Sequence, residues 1–357
     1  MKYFFILGRN PSLSKEEIFA YARARNIQVK EILFEENLLL LDVDKEIPIQ
    51  ELGGTIKSGK IAFEGSAREF EDYTDKNELV PADKFTYAVY GNIEPDVFKD
   101  KFKSERKKAI LKHGRKGIKM QYGEIAQNPH AEFNIFLVSH KEKVYFGLAN
   151  QDYDYSHVKS RDMSKPVRRE ALAISPRLSK ILINLSEAKP GDTLLDPFCG
   201  VGAVLSEALV KQINVHGIDK DPEAIKDAEK NLIWLKKTFE IKSSWVIETK
   251  DSKFTPLRNF DAIATETPLG AVLTKRPAEN EAKKIIQDFE ALMIPILSRL
   301  KAAKKPKAKI AITFPSIKNI RVDVNKISAR TGLSLLKGPI LESRADQNIS
   351  REILVFE

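Results

Sequence analysis

Short apolar runs broken by polar turns dominate the first 150 residues. Residues 3–8, YFFILG, read as a buried strand closed by Gly8-Arg9-Asn10-Pro11. Ser12 to Asn26 has helical spacing, with Ser14 as the expected cap and Glu17 three residues on. Residues 31–44, EILFEENLLLLDVD, predict two strands around a Glu35-Glu36-Asn37 turn, and a small helix and strand carry the chain to about residue 65. Residues 66–83 are polar and acidic, which predicts a connector. KFTYAVYGN (84–92) then alternates like a strand, Asp96 to His113 predicts a helix ending at Gly114, and IKMQYG (118–123) a short strand. Residues 132–149 predict two strands joined by a Lys-Glu-Lys turn, completing an α+β layout.

Beyond about residue 160 the pattern changes. TLLDPF, NVHGID, SWVIET, DAIAT and KIAITF alternate with amphipathic helical stretches. That alternation predicts an α/β architecture, a doubly wound and mostly parallel sheet. KAAKKPKAK (301–309) is the one low-complexity piece and predicts an exposed loop before the last of these strands.

Composition narrows the classes. No apolar run approaches the ~18–20 residues of a membrane span. The N-terminus lacks a signal-peptide cleavage site, so a cytoplasmic chain is expected. One cysteine excludes an internal disulfide framework, and five scattered histidines argue against a structural zinc site. No metal is expected, and nothing calls for more than a monomer. The 59 Lys+Arg against 50 Asp+Glu leave +9, which favours a polyanionic partner or serves solubility. The excess is concentrated: residues 101–119 hold nine basic residues, among them Lys103, Arg106, Lys107, Lys108, Lys112, Arg115 and Lys116, against one acid. A solvated helix face is the plain reading of such a run. Gly114 and Gly117 extend it past the helix, where flexible backbone can bring lysines to a phosphate chain.

The stretch richest in chemistry is GDTLLDPFCGVGAVLSEALV, Gly191 to Val210. A strand, Thr193–Leu195, leads into the turn Asp196-Pro197-Phe198-Cys199-Gly200-Val201-Gly202, and a helix starts at Ala203. Two glycines two apart let the backbone bend and approach a ligand closely. The spacing lacks the third glycine of the dinucleotide pattern. An acid at the head of the turn suits a ligand ammonium better than a pyrophosphate. Asp219 closes the next strand 19 residues past Gly200, where an acid can accept both hydrogen bonds of a ribose diol. Asp251 follows one strand later, placed for an adenine amino group. Together these acids describe a pocket for S-adenosylmethionine, with Phe198 at its edge. Taken singly, a Gly-x-Gly or a strand-end acid is an ordinary turn feature, and Cys199 is read as packing.

DPFCGVG, GIDKD and the lead-in RDMSKPVRREALAISPRLSKILINL (161–185) resemble the tRNA guanosine N2-methyltransferases of archaea and eukaryotes. The resemblance is specific over about 161–270 and agrees in layout over 1–150. It implies a ferredoxin-like region at 1–65, a THUMP-like RNA-binding domain at 66–155 and a Rossmann-like methyltransferase domain at 156–357. It also implies that the basic run grips tRNA, with Arg161 and Arg168 of the lead-in, beside Asp162 and Lys165, at the RNA-facing edge.

The catalytic turn departs from that pattern. Family members end the fourth strand with Asp or Asn, two prolines and an aromatic; here the residues are Glu266-Thr267-Pro268-Leu269-Gly270. Glu266 retains an acceptor and potential base for a guanine amine, Thr267 a backbone carbonyl and Pro268 the rigid backbone. Leu269 loses the ring on which a flipped base stacks, a contact worth roughly 1–3 kcal/mol; Phe198 or Phe314 is the expected substitute. Two alternatives stay open: an amino-methylating DNA methyltransferase, and an inactive RNA-binding homologue that keeps the cofactor fold.

Overall fold

The computed structural model describes residues 1–113, 131–169, 174–268, 277–343 and 348–357. The chain divides into two compact units: residues 1–15, 27–50 and 54–153 in the first, and 16–26, 51–53 and 154–357 in the second.

The first unit carries a sheet of strands β1 (Lys2–Leu7), β2 (Val29–Glu35), β3 (Leu38–Val43), β4 (Thr55–Gly65), β5 (Lys84–Gly91), β6 (Lys108–His113), β7 (Phe133–His140), β8 (Lys143–Leu148) and β9 (Gln151–Asp152). Their order is β2-β3-β1-β4-β8-β7-β5-β6, with β9 beside β4. Helix α1 (Pro11–Ala24) follows β1, α2 (Ala67–Lys76) follows β4 and α3 (Asp96–Ser104) follows β5. Period-two alternation divides the central strands between two cores. Phe85, Tyr87 and Val89 of β5 with Ile135 and Leu137 of β7 meet Phe70 of α2 and Phe98 and Phe102 of α3. Ala88, Tyr90, Phe136 and Val138 face the other way, against Phe4, Ile6 and Leu40. A strand buried on both faces reads as an unbroken apolar run, as IFLV (135–138) does.

Three sequence expectations change here. The helix over 96–113 ends at Ser104: Arg106 takes φ +59° and the chain re-emerges as β6, an edge strand parallel to β5. Its period is two, with Ala109 and Leu111 against the core and Lys108, Ile110 and Lys112 outward. The connector at 66–83 contains α2, started by a capping box in which Ser66 and Glu69 bond each other's backbone N–H. Helix α1 starts at Pro11 with Asn10, whose Oδ1 accepts the Leu13 N–H at 3.2 Å; Ser14 lies inside the helix and bonds the Asn10 carbonyl. The expected strand 118–123 lies outside the described residues.

The second unit has the alternation expected of it. Its elements are α4 (Tyr155–Met163), α5 (Pro176–Leu185), β10 (Thr193–Asp196), α6 (Ala203–Val210), β11 (Asn214–Asp219), α7 (Pro222–Phe239), β12 (Trp245–Thr249), β13 (Ala262–Glu266), α8 (Glu279–Ala303), β14 (Ile310–Ile317), β15 (Ile320–Arg321), α9 (Val324–Thr331), β16 (Leu335–Glu342) and β17 (Ser350–Phe356). The sheet order is β12-β11-β10-β13-β14-β17-β16; β10 to β14 run parallel, and β17 is antiparallel to both neighbours. Leu195, Ile218, Ile263 and Ile312 pack one face against Phe289, Met293 and Leu297 of α8. On the other face Gly217 lets Leu205 of α6 lie on the sheet; a Cβ there would stand 2.6 Å from Leu205 Cδ1.

Within this unit, Glu17 and Glu51 are tied into the helical layer. Glu17 Oε1 accepts from Asn184 Nδ2 at 2.7 Å, and Lys211 Nζ donates to the Glu51 carbonyl at 2.9 Å. Among the described residues no helix is long and apolar enough to cross a membrane.

Candidate active site

The chain runs from β10 outward to β11 and β12, then returns to β13 on the other side of β10. In open parallel sheets the crevice at this reversal, at the carboxyl ends of the strands, is where ligands bind. Asp196, Asp219 and Glu266 are the last residues of β10, β11 and β13.

The turn after β10 is fastened from several sides. Cys199 N–H donates to the Ile218 carbonyl at 3.0 Å, and Gly200 N–H to Asp219 Oδ2 at 2.9 Å. Ser252 Oγ donates to the Pro197 carbonyl. Gly200 and Gly202 have φ of +50° and +84°, in the left-handed region that favours glycine. A Cβ on Gly200 would meet no atom within 4 Å, so a ligand has open access to its backbone.

Asp196 is 1% exposed, and its Oδ1 accepts from Thr265 Oγ1 at 2.6 Å and from Phe198 N–H at 3.1 Å. Burial, with smaller contributions from the charges of Asp219 and Glu266, pushes its pKa up to about 7 despite those two bonds. Asp219 is half-buried, and its Oδ1 accepts the Asp221 N–H at 2.9 Å. Each carboxylate oxygen has two acceptor sites, so a diol can still bond it. Asp251 lies two residues past β12, exposed, and caps the short turn at 252–254 through the Lys253 N–H. Burial raises the Cys199 thiol pKa, followed by the charges of Asp196 and Asp219, so the packing reading stands.

At the end of β13, Glu266 is ion-paired with Arg351 of β17, and both side chains are about seven-eighths buried. Thr267 turns its hydroxyl away, onto the Thr313 carbonyl at 2.6 Å, leaving its own carbonyl as the catalytic contribution to consider. Pro268 is exposed; Leu269 and Gly270 lie outside the described residues. Phe314 cannot replace a stacking ring. It is fully buried, edge-on to Phe289 at 5.3 Å. Phe198 is half-buried at the turn.

Arg161 also departs from expectation. It is 5% exposed and bonds Glu207 of α6 with two nitrogens, at 3.1 and 2.9 Å, so it is structural rather than RNA-facing. Lys165 pairs with Asp162 at 2.7 Å, and Arg168 is exposed. Lys107 is likewise withdrawn: its side chain is 5% exposed, bonded to Glu78 at 2.6 Å and to the Val80 carbonyl. Lys103, Arg106, Lys108 and Lys112 are exposed. Lys103 and Arg106 border a surface depression of about 310 Å³ floored by Tyr87 and Phe102. Arg115 and Lys116 lie outside the described residues.

The sequence reading missed Thr265, Ser252, Arg351 and Asn231. None carries a local signal, because Thr265, Ser252 and Asn231 reach the turn, and Arg351 reaches Glu266, only through the order of the strands and helices.

Fold and site together define a Rossmann-like methyltransferase domain, and residues 166–299 match the family described as UPF0020, RMKL-like, methyltransferase domain. The chain is similar to the tRNA (guanine(10)-N2)-dimethyltransferases. It is 25% identical to that of Pyrococcus abyssi over 88% of this chain and 89% of the relative. A second, from Methanothermobacter thermautotrophicus, is 32% identical over 33% of each chain. Among solved structures, TrmN from Thermus thermophilus shares the fold with a TM-score of 0.53 at 14% identity, covering 100% of this chain and 99% of that one. The fold class and the relationship expected from the motifs are both met.

Proposed function

We propose that the protein is an S-adenosylmethionine-dependent methyltransferase that modifies the N2 amine of a guanosine in tRNA, in the cytoplasm. One observation carries this reading: three strand-end acids, Asp196, Asp219 and Glu266, surround a glycine turn with open space over Gly200. A desolvated carboxylate that gains from a cationic neighbour, a strand-end acid for a diol and an approachable backbone fit this cofactor. Asp196 would hold its ammonium, Asp219 its ribose and Asp251 its adenine, with Phe198, Gly200 and Gly202 shaping the cradle. When bound, the cofactor supplies a methyl group activated on a sulfonium.

The chain's own residues do the rest. Glu266 and the Thr267 carbonyl accept the two hydrogens of the guanine amine, and Glu266 takes the proton as the nitrogen is methylated. Pro268 stiffens the turn. The amine must lie in line with the methyl group, so catalysis is largely positioning, and a paired guanine has to be extruded first. In this reading 1–65 is the ferredoxin-like region, 66–155 the THUMP-like domain that docks tRNA and 156–357 the methyltransferase domain. The names of the relatives support tRNA as substrate.

Purified protein given labelled methyl donor and bulk tRNA is expected to incorporate label, recovered as N2-methylated guanosine by mass spectrometry of the nucleosides. Binding of both without incorporation would leave the inactive-homologue reading in its place. For the docking face, the triple change Lys103→Glu, Lys108→Glu and Lys112→Glu should weaken tRNA binding and flatten its salt dependence, by roughly one unit of slope per lost phosphate contact. An unaltered slope would remove this face from the interface, leaving Lys108 and Lys112 as protection for the edge strand β6.

A further inference from the structure

The lead-in at 161–169 is fastened at three places to the helices that follow the cofactor turn and Asp219, and one of these ties, at Asn231, reaches the turn itself. At its start Arg161 bonds Glu207 of α6. At its end the Arg169 guanidinium spans Asp221 and Asp227, at 2.8 and 2.9 Å. Between them stands Asn231 of α7, 2% exposed. Its Oδ1 accepts the Val167 N–H at 2.9 Å; its Nδ2 donates to the Val167 carbonyl at 3.1 Å and to the Val201 carbonyl at 3.0 Å. Val167 belongs to the lead-in, and Val201 stands between the two glycines of the turn.

We infer that Asn231 is a positioning residue for the cofactor turn, and that cofactor binding and the seating of 161–169 are linked through it. The chemistry is particular to a carboxamide. Three backbone groups, the partly buried N–H and carbonyl of Val167 and the buried carbonyl of Val201, need a side chain that accepts once and donates twice. Aspartate accepts but donates nothing to the two carbonyls. An aliphatic side chain leaves all three groups without a partner, and each unmade bond at a buried site weighs against the arrangement that buries it. The turn then loses the tie that sets the direction of Val201, next to the Gly200 backbone that Asp219 holds on its other side. Whatever occupies the turn favours the seated lead-in by the same factor as the seated lead-in favours occupancy.

This inference rests on the cofactor reading, and the test separates the two. Full-length protein is titrated with S-adenosylhomocysteine by calorimetry, below the melting temperature of each variant. Asn231→Leu should weaken binding by roughly ten- to a hundredfold, the scale of one or two lost buried hydrogen bonds. Asn231→Gln, which keeps both donors and the acceptor, should recover part of the loss. In parallel, saturating S-adenosylhomocysteine should slow tryptic cleavage within 161–169 in the parent protein, and this protection should disappear in Asn231→Leu. Parent-like affinity in folded Asn231→Leu, or an equal loss in the Gln and Leu variants, overturns the positioning role. No protection of the parent by bound ligand overturns the linkage. A parent protein that does not bind S-adenosylhomocysteine at all overturns the cofactor reading itself.

Discussion

Glu266→Ala is expected to lower methyl transfer by roughly two to four orders of magnitude, the range of a positioned acid–base group. Affinity for S-adenosylhomocysteine should stay within a few-fold of the parent. The residue ends β13, beside the strand that carries the turn, and its carboxylate is held by Arg351 from two strands away. That ion pair makes it an oriented group rather than a loose surface acid. A guanine amine is a poor nucleophile because its lone pair is delocalised into the ring, so acceptors for its two hydrogens are where a protein can help most. Glu266→Gln divides the contributions: activity near the parent's would assign hydrogen-bond acceptance, and a loss equal to that of Ala would assign the charge or the proton transfer. The measurement is single-turnover methyl transfer to tRNA with cofactor saturating. A rate unchanged in Glu266→Ala would remove the residue from catalysis. Removing Glu266 takes its counter-ion from the largely buried Arg351, so thermal unfolding is followed alongside.

The second large effect concerns pH. The Asp196 carboxyl has its pKa raised to about 7 by burial in the ligand-free protein. An ammonium placed beside it favours the ionised form and lowers that pKa in the complex. Cofactor affinity should therefore fall as pH drops below 7, by up to about tenfold per pH unit, which is 1.36 kcal/mol. It should level off above 7, until the ligand's own amino group loses its proton near pH 8. Asp196→Asn should bind more weakly and flatten the profile between pH 5 and 7. An equally steep profile in that variant would place the titration elsewhere, with Asp219 and Glu266 as the neighbouring acids to examine. Stability of the ligand-free fold runs the other way. Because the folded pKa lies above that of the unfolded chain, this group disfavours the fold increasingly as pH rises from about 4 to about 7, by an amount on the order of 4 kcal/mol at most.

The strand-end acids were legible because short apolar runs mark the strands and the acids mark their ends, so Asp196, Asp219 and Glu266 could be placed without coordinates. What failed was local structure where composition overwhelms period. Residues 101–113 are so rich in lysine that a helix face and an edge strand look alike, and the break depends on the backbone angle of Arg106. The capping box at Ser66 and Glu69 was readable, but the acidic surroundings masked it. Arg161 was misassigned for another reason: its partner Glu207 lies 46 residues away, and only the packing of α6 shows that the charge is spent internally. The Glu266 partner is farther still, 85 residues on. Phe314 sits on β14, which is buried along its whole length, so no alternation revealed which way its ring points. Pairings across a sheet are a property of strand order, and one-dimensional patterning does not carry strand order.

The tie of Glu17 and Glu51 to the second unit has a consequence for the order of synthesis. Glu17 leaves the ribosome 167 residues before its partner Asn184, and Glu51 160 residues before Lys211. At about 5–20 residues per second, the first of these acids waits roughly 8–30 s for the groups that will bury it. Two short pieces of the catalytic half are thus made first and enclosed last. During that interval they are an exposed helix end and a loop, and the unit that follows them is completed around material already waiting for it.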